Sequence, residues 1–377
     1  MAYTTIDDPA QYFNTVLFTG DIQDSDGTGH DQAVTGVGFQ PDWIWHKCRS
    51  HANQHMIVDS VRGTGGSPTQ MLFLSTQDTE DEKNSNSNGA IESIDSDGFT
   101  VTAGNDSSSK SNNAGANGRT YVDWCWKAGT SFTNDASATS VGTIDSSGSA
   151  NDTAGFSIVS YTGTGSAGTI KHGLSTAPNW IIFKNRETAG QNWIVYHSAT
   201  SSTPADDFLK LNADSAVGSS TSYGNNTAPT TSVFSVGAND NTNKSSEGQI
   251  AYCFAEKQGY SKFGSYTGNG NADGTFVYTG FKPAWLIVKQ TDTAGEGWYM
   301  WDNKRSSSGG SNENDRYLIG SVGNAEGTLG VDCDFLSNGF KHYYTGDASN
   351  GDGHSYVYMA FAESPFVNSN GVPTNAR

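Results

Sequence analysis

The residues best suited to chemistry cluster in the first part of the chain. His46, His51 and His55 stand within ten residues of one another, and three imidazoles so close could ligate a transition metal. His51 and His55 would share a face only on a helix, whereas the stretch around them reads as a hairpin, which argues against a metal there. Upstream, Asp24-Ser25-Asp26-Gly27-Thr28-Gly29-His30-Asp31 gathers carboxylates on a glycine-rich turn. Hard cations take clustered oxygens on tight turns, so Asp24, Asp26 and Asp31 are candidate calcium ligands, with a solvated acidic loop as the plainer alternative. The helices and terminal Glu of an EF-hand are missing. Asp347 with Asp352-Gly353 forms a sparser acidic loop. Hydrolysis would need a nucleophile beside a base, or two positioned carboxylates. The chain carries no G-x-S-x-G, no H-E-x-x-H and no phosphate loop, so no catalytic residue is assigned and no enzyme is expected. Calcium is the one cofactor the residues suggest.

Aromatic side chains are the other candidates. Trp193, Trp298, Tyr299 and Trp301 lie beyond polar hairpins and are expected to be exposed enough to stack on a sugar. Trp43, Trp180 and Trp285 each head an apolar run and are expected in the core, together with Trp124, Tyr252 and Tyr358 of later aromatic strands. Lys47, Lys184 and Lys289 end the three apolar runs and are expected to face solvent or pair with an acid. Cys48, Cys125, Cys253 and Cys333 form no C-x-x-C and read as reduced, buried small hydrophobes.

What must position these residues is a repeat. Phe18-Thr19-Gly20, Tyr161-Thr162-Gly163 and Tyr266-Thr267-Gly268 each precede a Pro-x-Trp, at Pro41-Asp42-Trp43, Pro178-Asn179-Trp180 and Pro283-Ala284-Trp285. A Phe follows at Phe99, Phe234 and Phe340, then an aromatic closing strand holding Trp124, Tyr252 or Tyr358. The tryptophan-to-closing-strand spacings are 81, 72 and 73 residues. Landmarks in one order, three times, define three tandem copies. The copies span residues 1–130 (with an N-terminal arm, 1–15), 131–256 and 257–365, followed by a polar tail, 366–377. A Ser/Thr/Asp/Gly-rich stretch, 129–155, reads as a linker. Period-two alternation in Phe156-Ser157-Ile158-Val159-Ser160-Tyr161, turn pairs such as Asn338-Gly339 and the absence of a longer helical pattern predict an all-β chain of three β-sandwich, jelly-roll or lectin-like modules.

Charge narrows the partners. With 21 basic and 39 acidic residues the net charge is −18, and phosphate recognition needs a cationic patch, so nucleic acid is not expected. No apolar run reaches the roughly 18 residues of a membrane span, and the first residues lack the basic and apolar regions of a secretion signal, so neither membrane insertion nor a signal peptide is expected.

The motif string is similar to a repeat of tail and virion proteins of marine bacteriophages. Its best copy here is Tyr161-Thr162-Gly163, Pro178-Asn179-Trp180, Ile181-Ile182-Phe183-Lys184-Asn185-Arg186 and Trp193-Ile194-Val195-Tyr196-His197. The opening Met1-Ala2-Tyr3-Thr4-Thr5-Ile6-Asp7-Asp8-Pro9 and the closing stretch from Pro365 to Arg377 resemble the ends of such proteins. The first copy has Arg49 where Arg186 stands, and the third has Thr291. The resemblance implies a virion structural protein on the tail or capsid surface, a lectin-like tail fibre or spike for host attachment. Its partners would be other virion proteins and a host-surface glycan, in a homo-oligomer with a trimer favoured. It brings no catalytic residues. A capsid decoration or head-fibre protein is the alternative, and a glycan depolymerase on a jelly-roll scaffold the second.

Overall fold

The β-prone runs form strands throughout the computed structural model, and among the described residues no helix exceeds four residues. The structure describes residues 3–22, 31–63, 70–74, 76–82, 90–102, 115–307, 312–328, 330 and 333–374. The fold is all-β, built of antiparallel sheets packed face to face.

Each copy has an inner sheet whose four central strands keep one order. A leading strand (Phe13–Thr19, Phe156–Thr162, Ser261–Thr267) pairs with the closing strand (Thr120–Trp126, Gly248–Phe254, Ser355–Pro365). The closing strand pairs next with the tryptophan strand (Trp43–Cys48, Trp180–Asn185, Phe281–Gln290), and that with a return strand (Met56–Asp59, Ile194–His197, Trp298–Asp302). A smaller outer sheet covers one face. It is built on Asp31–Thr35 and Gly98–Thr102 in the first copy, Gly168–Lys171 and Val233–Val236 in the second, and Phe276–Tyr278 and Gly339–His342 in the third. Between inner and outer sheets lie three separate small cores, centred on Phe99, Phe234 and Phe340.

The other face of every inner sheet is apolar as well, which explains why the tryptophan strands are buried along their full length in the first two copies. Strands covered on both sides read as continuous apolar runs. What covers them is the other two copies. One cluster takes Trp43, Trp124 and Trp126 from the first copy, Trp180, Tyr252 and Phe254 from the second, and Trp285, Met359 and Phe361 from the third. Trp126, Phe254 and Phe361 occupy equivalent positions, opposite Trp43, Trp180 and Trp285. Their rings form a triangle with centroid separations of 6.3, 6.0 and 5.6 Å. The three copies therefore surround one pseudo-threefold axis. Independent cores, expected from tandem repeats, describe only the outer half of the molecule.

This geometry corrects several expectations. The register places Met359, not Tyr358, at the position of Trp124 and Tyr252. A slip of one residue moves a strand side chain to the opposite face, and Tyr358 is buried in the third copy's outer core. Lys47, Lys184 and Lys289 do not face solvent. All are fully buried, at matching positions, and donate to backbone carbonyls: Lys47 to Cys48, Lys184 to Gln191 and Lys289 to Gln290, at 2.7, 2.7 and 2.6 Å. Burial lowers each ammonium from its ordinary value to about 8. The stretch 129–155 is no linker: Thr130–Asn134 and Ser146–Asn151 form a hairpin added to the edge of the second inner sheet. The N-terminal arm docks within the chain, with Ile6 in the shared core and the Tyr3 hydroxyl donating to the Gly280 carbonyl at 2.7 Å. The tail returns to the same place, where the Phe366 N–H meets the Gly280 carbonyl at 3.2 Å.

Candidate functional site

Trp193 and Trp298, expected as exposed platforms, are buried, and the reason is the packing of copies against one another. With His55 they hold the same position, at the start of the return strand, four residues before Asp59, His197 and Asp302. Each ring nitrogen reaches a backbone carbonyl of a neighbouring copy: Trp193 Nε1 to Phe73 at 3.2 Å, Trp298 Nε1 to Lys210 at 2.9 Å, His55 Nε2 to Ile319 at 3.1 Å. His55 Nδ1 accepts the Trp45 indole N–H at 2.8 Å, which leaves the proton on Nε2, and burial holds the imidazole neutral. Trp301 is buried in the third copy's outer core and Tyr299 is half-buried beside it, its hydroxyl donating to Glu296 at 3.0 Å. None of the four tryptophan and tyrosine candidates is a free face.

The end of the return strand supplies a second lock. Asp59 Oδ2 accepts the Tyr252 hydroxyl at 2.8 Å, and Asp302 Oδ2 accepts the Trp124 indole N–H at 3.0 Å. Each aspartate also pairs with the arginine three residues on, Arg62 or Arg305, inside the protein. Arg62 extends to Glu80, which binds Arg186 of the second copy; Arg305 extends to Glu326, which binds Arg49 of the first. At the third seam this position is neutral. Met359 has no proton to donate, and His197 replaces the aspartate, its Nε2 meeting the Tyr358 carbonyl at 3.1 Å. Burial lowers His197 to about 4. Thr291 stands where the other seams have arginine, so the missing arginine of the third copy reflects which seam it lines.

The proposed metal ligands do not converge. Asp24 and Asp26 lie outside the described residues, and Asp31 opens an exposed strand end. His46 pairs with buried Asp123 at 2.7 Å, His51 contacts Ser50 at the surface, and His55 serves the seam. Among the described residues no group of three or more His, Cys, Asp or Glu is placed to hold a metal. All four cysteines are free and buried. No helix among those residues is long and apolar enough to cross a membrane.

The feature that stands out is on the third copy's outer sheet. In Phe276–Tyr278, Val277 points inward opposite Phe340 while Phe276 and Tyr278 point out, 44% and 54% exposed. Tyr343 adds a third outward ring, 42% exposed. Lys341, opposite Phe276, lies 5.4 Å from the Tyr343 ring centroid and pairs with Asp273, a bond that holds that carboxyl below its ordinary range. Gly339 permits the arrangement, since a Cβ there would meet the Phe276 ring at 2.9 Å and the Val277 carbonyl closer still. Two-residue steps along a strand are about 6.8 Å, so Phe276 and Tyr278 stand side by side on one face, an aromatic ladder with Tyr343 beside it across Lys341. Its counterparts in the other copies are Ala33, Thr35 and Thr102, and Thr169, Lys171 and Gly237. Only one copy carries the ladder, so the shared fold does not require it. Sequence reading missed these residues. The signal was available in the contrast of Phe-Val-Tyr with Ala-Val-Thr and Thr-Ile-Lys.

No curated protein and no solved structure matches the chain significantly. One family model, described as a domain of unknown function (DUF7483), matches residues 8–365. That match runs across all three copies as one unit, in keeping with a core to which each contributes, and the chain belongs to the DUF7483 family.

Proposed function

We propose that this protein is a phage virion component, a tail fibre or spike, that attaches to a host-surface glycan through Phe276, Tyr278 and Tyr343. The observation that carries the reading is the aromatic ladder on one copy alone. Exposed apolar patches edged by polar groups mark interaction sites. A pyranose presents a flat face of C–H groups to such rings and hydroxyls to Lys341 and Asp273. The acidic surface disfavours phosphate-bearing partners, and the resemblance to phage repeats supplies the setting. The test is binding of the purified chain to host-type cells and their isolated polysaccharide, with calcium and with chelator. Saturable binding that falls at least tenfold in Tyr278→Ala combined with Phe276→Ala, with the melting temperature unchanged, is the expected result. Equal binding by the variant, or binding to empty capsids and not to cells, would overturn it, the latter in favour of a decoration protein. Loss with chelator alone would place the contact at the Asp24–Asp31 loop instead. Release of reducing ends would identify a depolymerase.

A further inference from the structure

The outward face of the third copy's outer sheet carries a charge pattern as particular as its rings. The strands of this sheet lie in the order Phe276–Tyr278, Gly339–His342, Cys333–Leu336 and Glu313–Asn314. Val277, Phe340, Cys333 and Phe335 point into the core beneath, and Asn314 is buried, so the alternate residues point outward. Register sets those outward residues in one row across all four strands: Phe276 opposite Lys341, Lys341 opposite Asp334, and Asp334 opposite Glu313. Asp273, just ahead of the first strand, pairs with Lys341. Beside the exposed rings the row thus gathers one ammonium and three carboxylates, a net charge of −2.

The other copies lack this row. At the same register the first copy has Ala33, Thr100 and Ser93, and the second has Thr169 and Ser235, none of them charged. Rings and carboxylates occur together on one copy and are absent together from two, so the shared fold requires neither. Lys341 offers little to a ligand anion, because its ammonium pairs with Asp273 and lies 5.4 Å from the Tyr343 ring centroid. The Asp273 hydrogen bond raises that ammonium above its ordinary value, which keeps it charged and bound. The next two positions of the row are both carboxylates. Complementary charge across an interface sets which partner is accepted, and like charge brought against like is penalised. Asp334 stands two strands from Phe276, about 9.6 Å, so one pyranose does not touch both.

We propose that this face selects saccharides bearing free amino groups: an oligomer of at least two units, with the C–H face of one on Phe276 and Tyr278 and a protonated amine of the next against Asp334 and Glu313. The inference rests on the reading of the rings as a glycan site and adds the class of glycan. Saccharides bearing carboxylate or sulfate are rejected by the same row. An ammonium is also attracted to an aromatic face, and Lys341 over Tyr343 is an instance of that contact on this sheet.

The test titrates the full chain, at low salt and mildly acidic pH, with tetrasaccharides of β-1,4-linked glucosamine, of its N-acetylated form and of galacturonate. The glucosamine tetramer is expected to bind about fivefold tighter than the acetylated one, the size of one exposed ion pair, and the galacturonate tetramer not to bind. Added salt should close the gap. Asp334→Asn and Glu313→Gln are each expected to shrink the preference and together to abolish it, with circular dichroism unchanged. Equal binding of the glucosamine and acetylated tetramers, tighter binding of galacturonate, a preference that survives both substitutions, or no binding of any tetramer overturns the proposal. Its failure is distinguishable from failure of the reading beneath it, which stands or falls on cell binding by Tyr278→Ala combined with Phe276→Ala, whatever the charge preference.

Discussion

Arg305→Met is expected to destabilise the protein by about 3–5 kcal/mol, because removing one partner of a buried pair leaves the other charge uncompensated. Arg305 has no exposed side-chain surface. It binds Asp302, reaches Glu326 at 3.2 Å and donates to the Met300 carbonyl at 3.1 Å. Its guanidinium also lies 5.5 Å from the Trp124 ring centroid, across the seam between the third and first copies. Asp302 would remain with two backbone N–H donors and the Trp124 indole, and Glu326 would keep only Arg49. Thr200→Met, three residues after His197 where the other copies place Arg62 and Arg305, removes no charge, only hydroxyl bonds to the His197 carbonyl and to Asp207, and is expected to cost much less. Urea unfolding of the two variants checks the difference, and equal effects would contradict the ionic account of the seam.

Trp285→Ala should cost a similar amount, about 3–5 kcal/mol for a large side chain removed from a packed core. Its ring meets Trp126 at 5.5 Å and Trp124 at 6.2 Å in the first copy, besides Phe361 at 6.1 Å in its own. The cavity would open between copies, so loosening is expected in the first copy as well as the third. Trp285→Phe is the control. The indole N–H of Trp285 has no hydrogen-bond partner among the described residues, so the phenyl ring gives up packing volume and no bond seen there. Hydrogen exchange of the closing strand Thr120–Trp126 should rise in the alanine variant. An effect confined to the third copy would speak against a shared core.

Much of the fold was legible because its determinants are local. Alternation in Phe156–Thr162 and the turn pairs mark strands, and repeated landmarks mark copies. Less visible was what the second face of each inner sheet touches. An apolar run says that both faces are buried and leaves open which element buries them. Lys47, Lys184 and Lys289 illustrate the point. Lysine is almost never fully buried without partners, yet each ammonium is buried here and donates to a carbonyl. Their recurrence at one landmark was the clue to a structural role. Trp193 and Trp298 gave the same clue, standing four residues before His197 and Asp302 in two copies. Tyr358 misled because its strand is aromatic at several positions, and only pairing with Leu286–Lys289 fixes which face each residue takes. The candidate site was hidden for the opposite reason: Phe276–Tyr278 is too short for alternation to declare a face, and only comparison among copies exposes its aromatics.

The neutral seam has a physical logic of its own. Where the inward closing-strand residue can donate, as Trp124 and Tyr252 do, an aspartate faces it; where it is Met359, a neutral histidine takes that place and uses the backbone. An aspartate opposite Met359 would bury a charge with neither the ring donor nor the arginine that Asp59 and Asp302 have, which is costly.

The claim on which this account rests is that three repeats form one cooperative body around a common core. Differential scanning calorimetry of the intact chain tests it most directly. One transition, with calorimetric and van 't Hoff enthalpies in agreement, is the predicted result. Two or three resolved transitions, each with the enthalpy of a single copy, would contradict it.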